Sequence, residues 1–275
     1  MFAPSGATGG RSDTIGSVRV SIVTPSFNQA DFLTRTARSI LSQTGKFDLQ
    51  WIVIDGGSTD GTRELLESLN DSRLTWLSEP DRGQSHAINK GLALADGDVV
   101  AWLNSDDLYV DGALAAVADA FAADPLARWL IGRYQVIDAD DRVIRRSVVR
   151  YKERGLRRYR YRKLLRENFI AQPAVFWRRD FGREIGPLDE TLHWTMDYDL
   201  WLRMGRLSDP LMLDRVLAQF RLHAGSKSGK VERGQFDEQY EVARRYLGSD
   251  HLSRAIHRLN VEKIVLAYRL MRWLS

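Results

Sequence analysis

Four short apolar runs, rich in β-branched residues, punctuate the first half of the chain. They occupy residues 18–24, 49–55, 74–78 and 99–103. Continuous runs of this kind are typical of strands that are buried on both faces of a sheet. Stretches with a helical spacing of apolar residues follow them, at residues 31–43, 62–69, 85–95 and 112–123. Strands that alternate with helices predict βαβ units and an α/β fold with a mostly parallel sheet flanked by helices.

The second half has a less regular pattern. It predicts a strand pair at residues 129–137 and 143–149, a further strand at 174–179 and an amphipathic helix at 195–206. A loop is predicted at 220–229, followed by helices at 232–247 and 251–274. The first 17 residues are rich in Gly and Ser and predict a flexible tail. We therefore divide the chain into a tail of residues 1–17, an α/β domain of residues 18–230 and a helical C-terminal extension of residues 231–275.

The length and composition are those of a globular protein with one large domain, or with a core domain and an extension. Of the 275 residues, 44% are hydrophobic and 28% are charged, and no run approaches the roughly 18 apolar residues that cross a bilayer. Cysteine is absent, which excludes disulfides and thiolate metal sites and fits a reducing compartment. We therefore expect a cytoplasmic location. The net charge of +4 favours anionic partners but does not distinguish nucleic acid, phosphorylated small molecules and lipid.

Polar, largely acidic loops follow all four apolar runs. They span residues 24–28, 55–61, 79–85 and 104–107. Because the carboxyl ends of parallel strands meet at one edge of a sheet, we expect these loops to line one crevice. The last loop holds Asn104, Ser105, Asp106 and Asp107. Such residues favour turns by bonding their own backbone, and adjacent carboxylates also suit a divalent cation. The recurrence of acids at successive strand ends is explained less well by turns alone.

An edge of this kind has the groups that a nucleotide-sugar requires. A carboxylate such as Asp55 accepts hydrogen bonds from a ring N–H or a ribose hydroxyl. Carboxylates repel a diphosphate directly, so acids beside it imply a bridging Mg²⁺ or Mn²⁺. Asp106 and Asp107 are the candidate pair, one as a ligand of the ion and the other beside the ribose or the metal.

Five motifs extend this interpretation: TPSFNQADFL, IVIDGGSTDGT, SEPDRGQSHAINKG, VVAWLNSDDLY and MDYDLWLR. In this order, over residues 18–228, they resemble the family 2 glycosyltransferases of the GT-A fold. The resemblance implies inverting transfer of a sugar from a nucleotide diphosphate-sugar, with UDP favoured, and a divalent metal, Mn²⁺ or Mg²⁺. It also implies a saccharide or lipid-linked saccharide acceptor in the synthesis of cell-surface polysaccharide or glycolipid.

The resemblance assigns roles position by position. Asp197 matches the catalytic base, and Asp107 matches the metal ligand of a DxD-like element. His223 matches the histidine of an RxHxxS-like element near the diphosphate and the metal. The residues that match positions around the nucleotide and the donor sugar are Pro25, Ser26, Asn28, Asp55, Gly57, Ser58, Asp81, Gly83, Gln84, Asn89 and Asp106.

Three positions depart from the family pattern. Asn104 stands where many members carry another acid, His86 where relatives often have Asp, and Met196 where Glu often precedes the base. Asp199 follows Asp197 by two residues, about 200° around a helix, so only one of the two carboxylates can face the crevice. Capping of the helix is the structural alternative for Asp197.

Two basic segments remain outside these motifs. Residues 150–166 interleave arginine and lysine with tyrosine, a pattern that fits a solvated face, an anionic lipid surface or nucleic acid. The loop acids would repel a polyanion, so we expect no nucleic acid partner. The amphipathic helix at 251–274 fits peripheral contact with the inner face of a membrane, or packing on its own domain or on a second subunit.

Other functions are compatible with parts of the pattern. A sugar-binding module of the same fold without catalysis and a nucleic-acid-binding protein are the rival classes. A nucleotidyltransferase is disfavoured, because no Gly-rich, Arg-containing loop follows the first strand. Gln172 and Trp177 are candidates for the floor of an acceptor site, with core packing as the alternative.

Overall fold

The computed structural model describes residues 17–226 and 233–273. Within these ranges the strands are β1 (Val18–Ser26), β2 (Phe47–Asp55), β3 (Leu74–Ser78), β4 (Val99–Trp102), β5 (Leu108–Tyr109), β6 (Trp129–Ile137), β7 (Val143–Ile144), β8 (Val175–Arg178) and β9 (Leu211–Arg221). The helices are α1 (Ala30–Leu41), α2 (Thr62–Leu69), α3 (Gln84–Leu94), α4 (Ala113–Ala123), α5 (Arg146–Leu156), α6 (Tyr161–Leu164), α7 (Arg179–Ile185), α8 (Met196–Leu207), α9 (Arg233–Leu247) and α10 (His251–Trp273). The predicted tail of residues 1–17 lies almost wholly outside the described residues.

One sheet contains all of the described strands, in the order β3-β2-β1-β4-β8-β6-β9-β5, with β7 paired to β6. The first four strands of this order are parallel, whereas β8 runs antiparallel to both β4 and β6. The parallel register sets Ser26 beside Asp55 and Asp55 beside Ser78. The predicted α/β class is therefore confirmed, and the polar loops after β1, β2, β3 and β4 emerge at one edge.

The predicted strand at residues 143–149 is wrong for most of its length. Only Val143 and Ile144 are extended, because Arg145 adopts a left-handed conformation (φ 51°) that ends the strand and starts α5. Val149 and Leu156 are buried on that helix, so packing outweighs the β preference of the valines. The predicted loop at 220–229 also begins too early, since Phe220 and Arg221 pair with β6 at the end of β9.

A cluster of tryptophans fills the core beneath the carboxyl edge of the sheet. The Trp201 ring of α8 stacks on Trp102 of β4, with ring centroids 5.7 Å apart, and on Trp129 of β6 at 6.2 Å. Trp177, one of the two predicted acceptor-floor residues, packs edge-on against Trp102 and Trp201 and is buried in this cluster. The stacking anchors α8 firmly against the sheet.

The C-terminal helices pack on the body of the protein. In α10, Ser253 and His257 are fully buried, and the His257 ring lies 2.9 Å from the backbone oxygen of Leu165. Arg162 pairs with Asp250 at 2.9 Å, so part of the basic segment 150–166 serves as the docking surface of α10. The outer face of α10 remains exposed. In the described part of the chain, no helix is both long and apolar enough to cross a membrane.

Candidate active site

The acidic turn after β4 is fixed by two elements that are distant in sequence. The hydroxyl of Thr36, on α1, lies 2.8 Å from the backbone oxygens of Ser105 and Asp107. Arg221, at the end of β9, donates from Nε to the backbone oxygen of Asp106 at 2.7 Å. The Arg221 guanidinium is buried and also pairs with Asp141. The turn is therefore held in place before any ligand binds.

The two carboxylates of this turn have different environments. Asp107 is 0% exposed, and its oxygens accept hydrogen bonds from the backbone N–H of Arg221 at 2.8 Å and from the Asn104 amide at 3.2 Å. Burial raises the pKa of Asp107 well above its ordinary value. The Asp106 carboxylate is partly exposed and lies 3.0 Å from Nε2 of His223. The structure therefore places the Asp106 side chain at the cleft and the Asp107 side chain, predicted as the metal ligand, in the interior.

A cleft of about 810 Å³ lies over the carboxyl edge of the sheet. Residues predicted for the donor that line it are Pro25, Ser26, Asp81, Gly83, Gln84 and Asp106. Asp197, the predicted base, lines the same cleft. The structure therefore brings half of the sequence-derived site around one cavity.

Four predicted donor residues instead build the loops around this cleft. The buried Asp55 carboxylate accepts hydrogen bonds from the backbone of Gly57 at 3.2 Å and of Ser58 at 2.9 Å, and from the Ser78 hydroxyl at 2.7 Å. The backbone N–H of Asn28 donates to the Ser58 hydroxyl at 2.7 Å. These contacts tie the loops after β1, β2 and β3 together, and none of Asn28, Asp55, Gly57 and Ser58 lines the cleft.

Asn89 and His223 also lie outside the cleft lining. The Asn89 side chain bonds both the backbone N–H and the backbone oxygen of Leu188, at 2.8 and 3.0 Å, and so links α3 to the segment before α8. His223 packs its ring 4.4 Å from that of Phe32 while its Nε2 contacts Asp106. His223 therefore supports the Asp106 side of the cleft from behind.

Amide side chains connect the two sides of the cleft floor. Gln84 donates to the Asn104 side-chain oxygen at 2.9 Å, and Asn104 lies 3.3 Å from the Gln172 side-chain oxygen. Gln172 in turn donates to the backbone oxygen of Trp102 at 2.7 Å. The amide at position 104 can act as donor and acceptor at once, which a carboxylate could not do here.

Asp197 is the second residue of α8. Its Oδ1 accepts the backbone N–H of Tyr198 at 2.7 Å, and the start of a helix favours negative charge. Burial nevertheless raises the pKa of Asp197 to about 6, with the charge of Lys152 acting in the opposite direction. A carboxyl group with this pKa is ionised at neutral pH and retains a strong tendency to accept a proton.

Asp199 has a different environment from Asp197. It is buried, pairs with Arg203 at 2.9 Å and accepts a hydrogen bond from the Tyr246 hydroxyl at 2.7 Å. These contacts link α8 to α9, and Asp199 does not line the cleft. Of the two carboxylates, Asp197 therefore faces the cleft.

Several cleft residues had no role in the sequence analysis. Val148 and Lys152, one helical turn apart on α5, line the side near Asp197. Phe236 and Gln239 of α9 line it from the C-terminal extension. Lys152 belongs to the basic segment 150–166, and nothing in the composition of that segment distinguishes it from the surrounding arginines. Its i, i+4 spacing from Val148 is the signal that could have indicated the inward face of α5.

The tyrosines of that basic segment are mostly internal. Tyr159 is buried and packs edge-on against Trp129 and Phe169, and Tyr161 is half-buried beside α8. Tyr151 is exposed, and its hydroxyl donates to Glu167 at 3.0 Å. Two of these three rings are therefore not presented as a surface on which bases could stack.

Comparisons with known proteins show that this fold is the GT-A fold of glycosyltransferases. The sequence model of Glycosyl transferase family 2 matches residues 21–185, and an uncharacterized glycosyltransferase of Mycobacterium tuberculosis is 30% identical over 205 residues, which cover 73% of this chain and 74% of the relative. The chain belongs to glycosyltransferase family 2.

Solved structures show the same fold. Staphylococcus aureus TarS 1-349 in complex with UDP-GlcNAc aligns with a TM-score of 0.62 at 17% identity, over 84% of this chain and 67% of that one; the chain spans 40% of a longer TarS structure. The mannosyltransferase PcManGT from Pyrobaculum calidifontis, in complex with GDP-Man and Mn²⁺, aligns with a TM-score of 0.58 at 18% identity, over 92% and 80%.

Proposed function

We propose that the protein transfers a sugar from a nucleotide diphosphate-sugar, with UDP as the preferred nucleotide, to an acceptor hydroxyl with inversion at the anomeric carbon. One observation carries the proposal: the Asp106 carboxylate, which contacts His223, and the Asp197 carboxylate line the same cleft. A single displacement needs a group that stabilises the leaving diphosphate and a base that reaches the acceptor hydroxyl. The complexes of the two structural neighbours with UDP-GlcNAc and GDP-Man support a nucleotide-sugar donor.

The Asp106–His223 pair fits a divalent cation. Asp106 Oδ2 and His223 Nε2 are 3.0 Å apart, so both would contribute to one site, and a carboxylate is the ligand type that Mn²⁺ and Mg²⁺ prefer. No cluster of three or more His, Cys, Asp or Glu residues exists in the described part of the chain, so Asp106 and His223 are the side chains that would hold the ion. When bound, Mn²⁺ or Mg²⁺ stabilises the negative charge of the departing diphosphate. We accordingly assign the ligand role to Asp106 in place of Asp107.

Asp197 is the proposed general base. It takes the proton of the acceptor hydroxyl as that oxygen attacks the anomeric carbon from the face opposite the diphosphate. Burial keeps its pKa at about 6, so the group is ionised when the acceptor binds at neutral pH and gains driving force for the transfer of the proton.

The test is Asp197→Asn, with Asp199→Asn as the matched carboxylate on the same helix. Asp197→Asn should bind donor as the parent does while transfer falls by roughly 10²-fold or more, as expected for the loss of a general base. Asp199→Asn should change transfer far less, because Asp199 does not line the cleft. NMR of the product should show an anomeric configuration opposite to that of the donor. Near-normal transfer by Asp197→Asn would reject the base, and a retained configuration would reject the single displacement.

We further propose a saccharide or lipid-linked saccharide acceptor, used in cell-surface polysaccharide or glycolipid synthesis at the inner face of a membrane. The supporting feature is the outer face of α10, where Leu252, Leu259 and Leu266 recur every seventh residue at 63%, 59% and 58% exposure. Arg258 and Lys263 are exposed on the same helix. Leucines bury in the acyl boundary of an interface, and each cation near an anionic surface adds about 1 kcal/mol.

Vesicle sedimentation tests this contact. Leu259→Glu should reduce binding to phosphatidylglycerol vesicles at low salt, and binding of the parent should fall as salt rises. Leu207→Glu is the control, since Leu207 is comparably exposed (53%) at the end of α8. Absent binding of the parent at low salt contradicts the membrane contact, and concentration-dependent self-association lost in Leu259→Glu would instead assign the leucine face to a second copy of the chain.

A further inference from the structure

Helix α9 contacts the segment that immediately precedes α8 and the proposed base. The Glu238 carboxylate accepts the backbone N–H of His193 on Oε1 at 2.8 Å. On Oε2 it accepts the backbone N–H groups of Trp194 and Thr195, at 2.8 and 2.9 Å, and the Thr195 hydroxyl at 2.8 Å. One side chain from the C-terminal extension therefore gathers four donors of the segment 193–195.

The segment 193–195 leads directly into α8. Thr195 is the residue that precedes α8, and its hydroxyl bonds Glu238 instead of capping the helix on which it stands. Asp197 follows two residues later, in the first turn of α8, so a displacement of residue 195 should displace Asp197 as well. His193, Trp194 and Thr195 themselves line the cleft. The anchor thus acts on the part of the cleft wall next to the proposed base.

We propose that Glu238 is a positioning residue for sugar transfer, which fixes the segment 193–195 and through it the carboxylate of Asp197. The proposal rests on the assignment of Asp197 as the base. It makes α9 a component of the active site, in contact with the cleft through Phe236 and Gln239 on the same helix.

The negative charge of Glu238 has a second consequence, which concerns the pKa of Asp197. Burial opposes ionisation of Glu238, but its hydrogen bonds from 193–195 outweigh that effect and hold its pKa below the ordinary value. The charged side chains that act on Asp197 are Lys152 of α5, which lowers its pKa, and Glu238, which raises it. Loss of the Glu238 charge should therefore lower the pKa of Asp197 and move the acidic limb of the pH profile to lower pH.

The experiment compares Glu238→Gln with Glu241→Gln. Glutamine keeps the shape of the side chain but presents an N–H₂ group to donors that need an acceptor. We expect kcat for transfer to fall by about 10- to 100-fold with little change in the KM for the donor, because misplacement of a catalytic group by about 1 Å costs up to 10²-fold. Glu241 is exposed on the same helix and pairs with Arg244, so Glu241→Gln should match the parent in rate and pH profile.

The outcomes separate this inference from the proposed function. Glu238→Gln with parental kcat and an unmoved acidic limb overturns the positioning role, while an inactive Asp197→Asn measured alongside leaves the base intact. An active Asp197→Asn rejects the base itself. If Glu238→Gln lowers kcat but leaves the acidic limb of the pH profile at the parental pH, the result also counts against the inference. A general loss of protein stability would lower kcat in the same way. If Glu238→Gln does not fold by circular dichroism, Thr195→Val removes one of the four bonds, and an unchanged kcat in that variant overturns the proposal.

Discussion

The acidic limb of the pH–rate profile is a direct consequence of the environment of Asp197. Its pKa of about 6 is set first by burial and moderated by the charge of Lys152. A base must be deprotonated to act. The transfer rate should therefore be at its maximum above the pKa and should fall as the pH drops through 6. With that pKa, the ionised fraction is about 0.91 at pH 7 and about 0.09 at pH 5, which predicts a roughly tenfold loss of kcat/KM for the acceptor.

The variant Lys152→Met tests the contribution of the lysine charge to the pKa of Asp197. Removal of the cation leaves the buried carboxylate less stabilised, so the pKa of Asp197 should rise and the limb should move to higher pH. The rate at pH 6 should then fall more than the rate at pH 8.5. Arg154→Met is the matched control, because Arg154 is exposed on the same helix and does not line the cleft.

The assay is initial-rate transfer at saturating donor and low acceptor concentration from pH 5 to pH 9, with constant ionic strength. The residual rate of Asp197→Asn should lack the limb near pH 6, which separates Asp197 from other titrating groups. A profile of the parent that is flat between pH 5 and pH 7, or a limb that moves to lower pH in Lys152→Met, refutes the electrostatic reasoning.

Two further predictions concern the carboxylates. Asp106→Asn should keep the stability of the parent and lose Mn²⁺-dependent donor binding, measured by titration calorimetry; unchanged binding contradicts the ligand assignment. Asp197→Asn should be more stable than the parent at pH 7.5 by about 1–3 kcal/mol, since a raised carboxyl pKa costs the folded state stability as pH rises from about 4 past 6 and partial exposure screens part of that cost. Equal stability at pH 7.5, or a difference that persists unchanged at pH 4, contradicts this last prediction.

The parallel half of the sheet was predictable from local pattern. Strands β1, β2 and β4 are buried on both faces and therefore appear in the sequence as continuous apolar runs. The loops at their carboxyl ends follow from parallel pairing alone. Strand β9 was not predicted, because Asp214 and Arg215 interrupt its apolar pattern and its pairing with β6 depends on contacts distant in sequence.

The sequence alone could not predict the orientation of the acidic turn. Asp106 and Asp107 are adjacent and identical, and nothing local distinguishes them. Their environments differ because the Arg221 backbone, 114 residues later, donates to Asp107, and because Arg221 and Thr36 fix the backbone of the turn. A motif match therefore locates the turn, whereas only the tertiary contacts show which carboxylate faces the cleft.

In the proposed mechanism the two sides of the cleft have different structural origins. The turn with Asp106 belongs to the parallel strands and is held by buried bonds within the α/β domain. The side with Asp197 is built from α5, α8 and α9, and its conformation depends on links between them such as that from Glu238 to Thr195. Changes in these later helices can alter the acceptor side without disturbing the donor turn. Acceptor selectivity in this chain should therefore depend on residues outside the motifs that reveal the family.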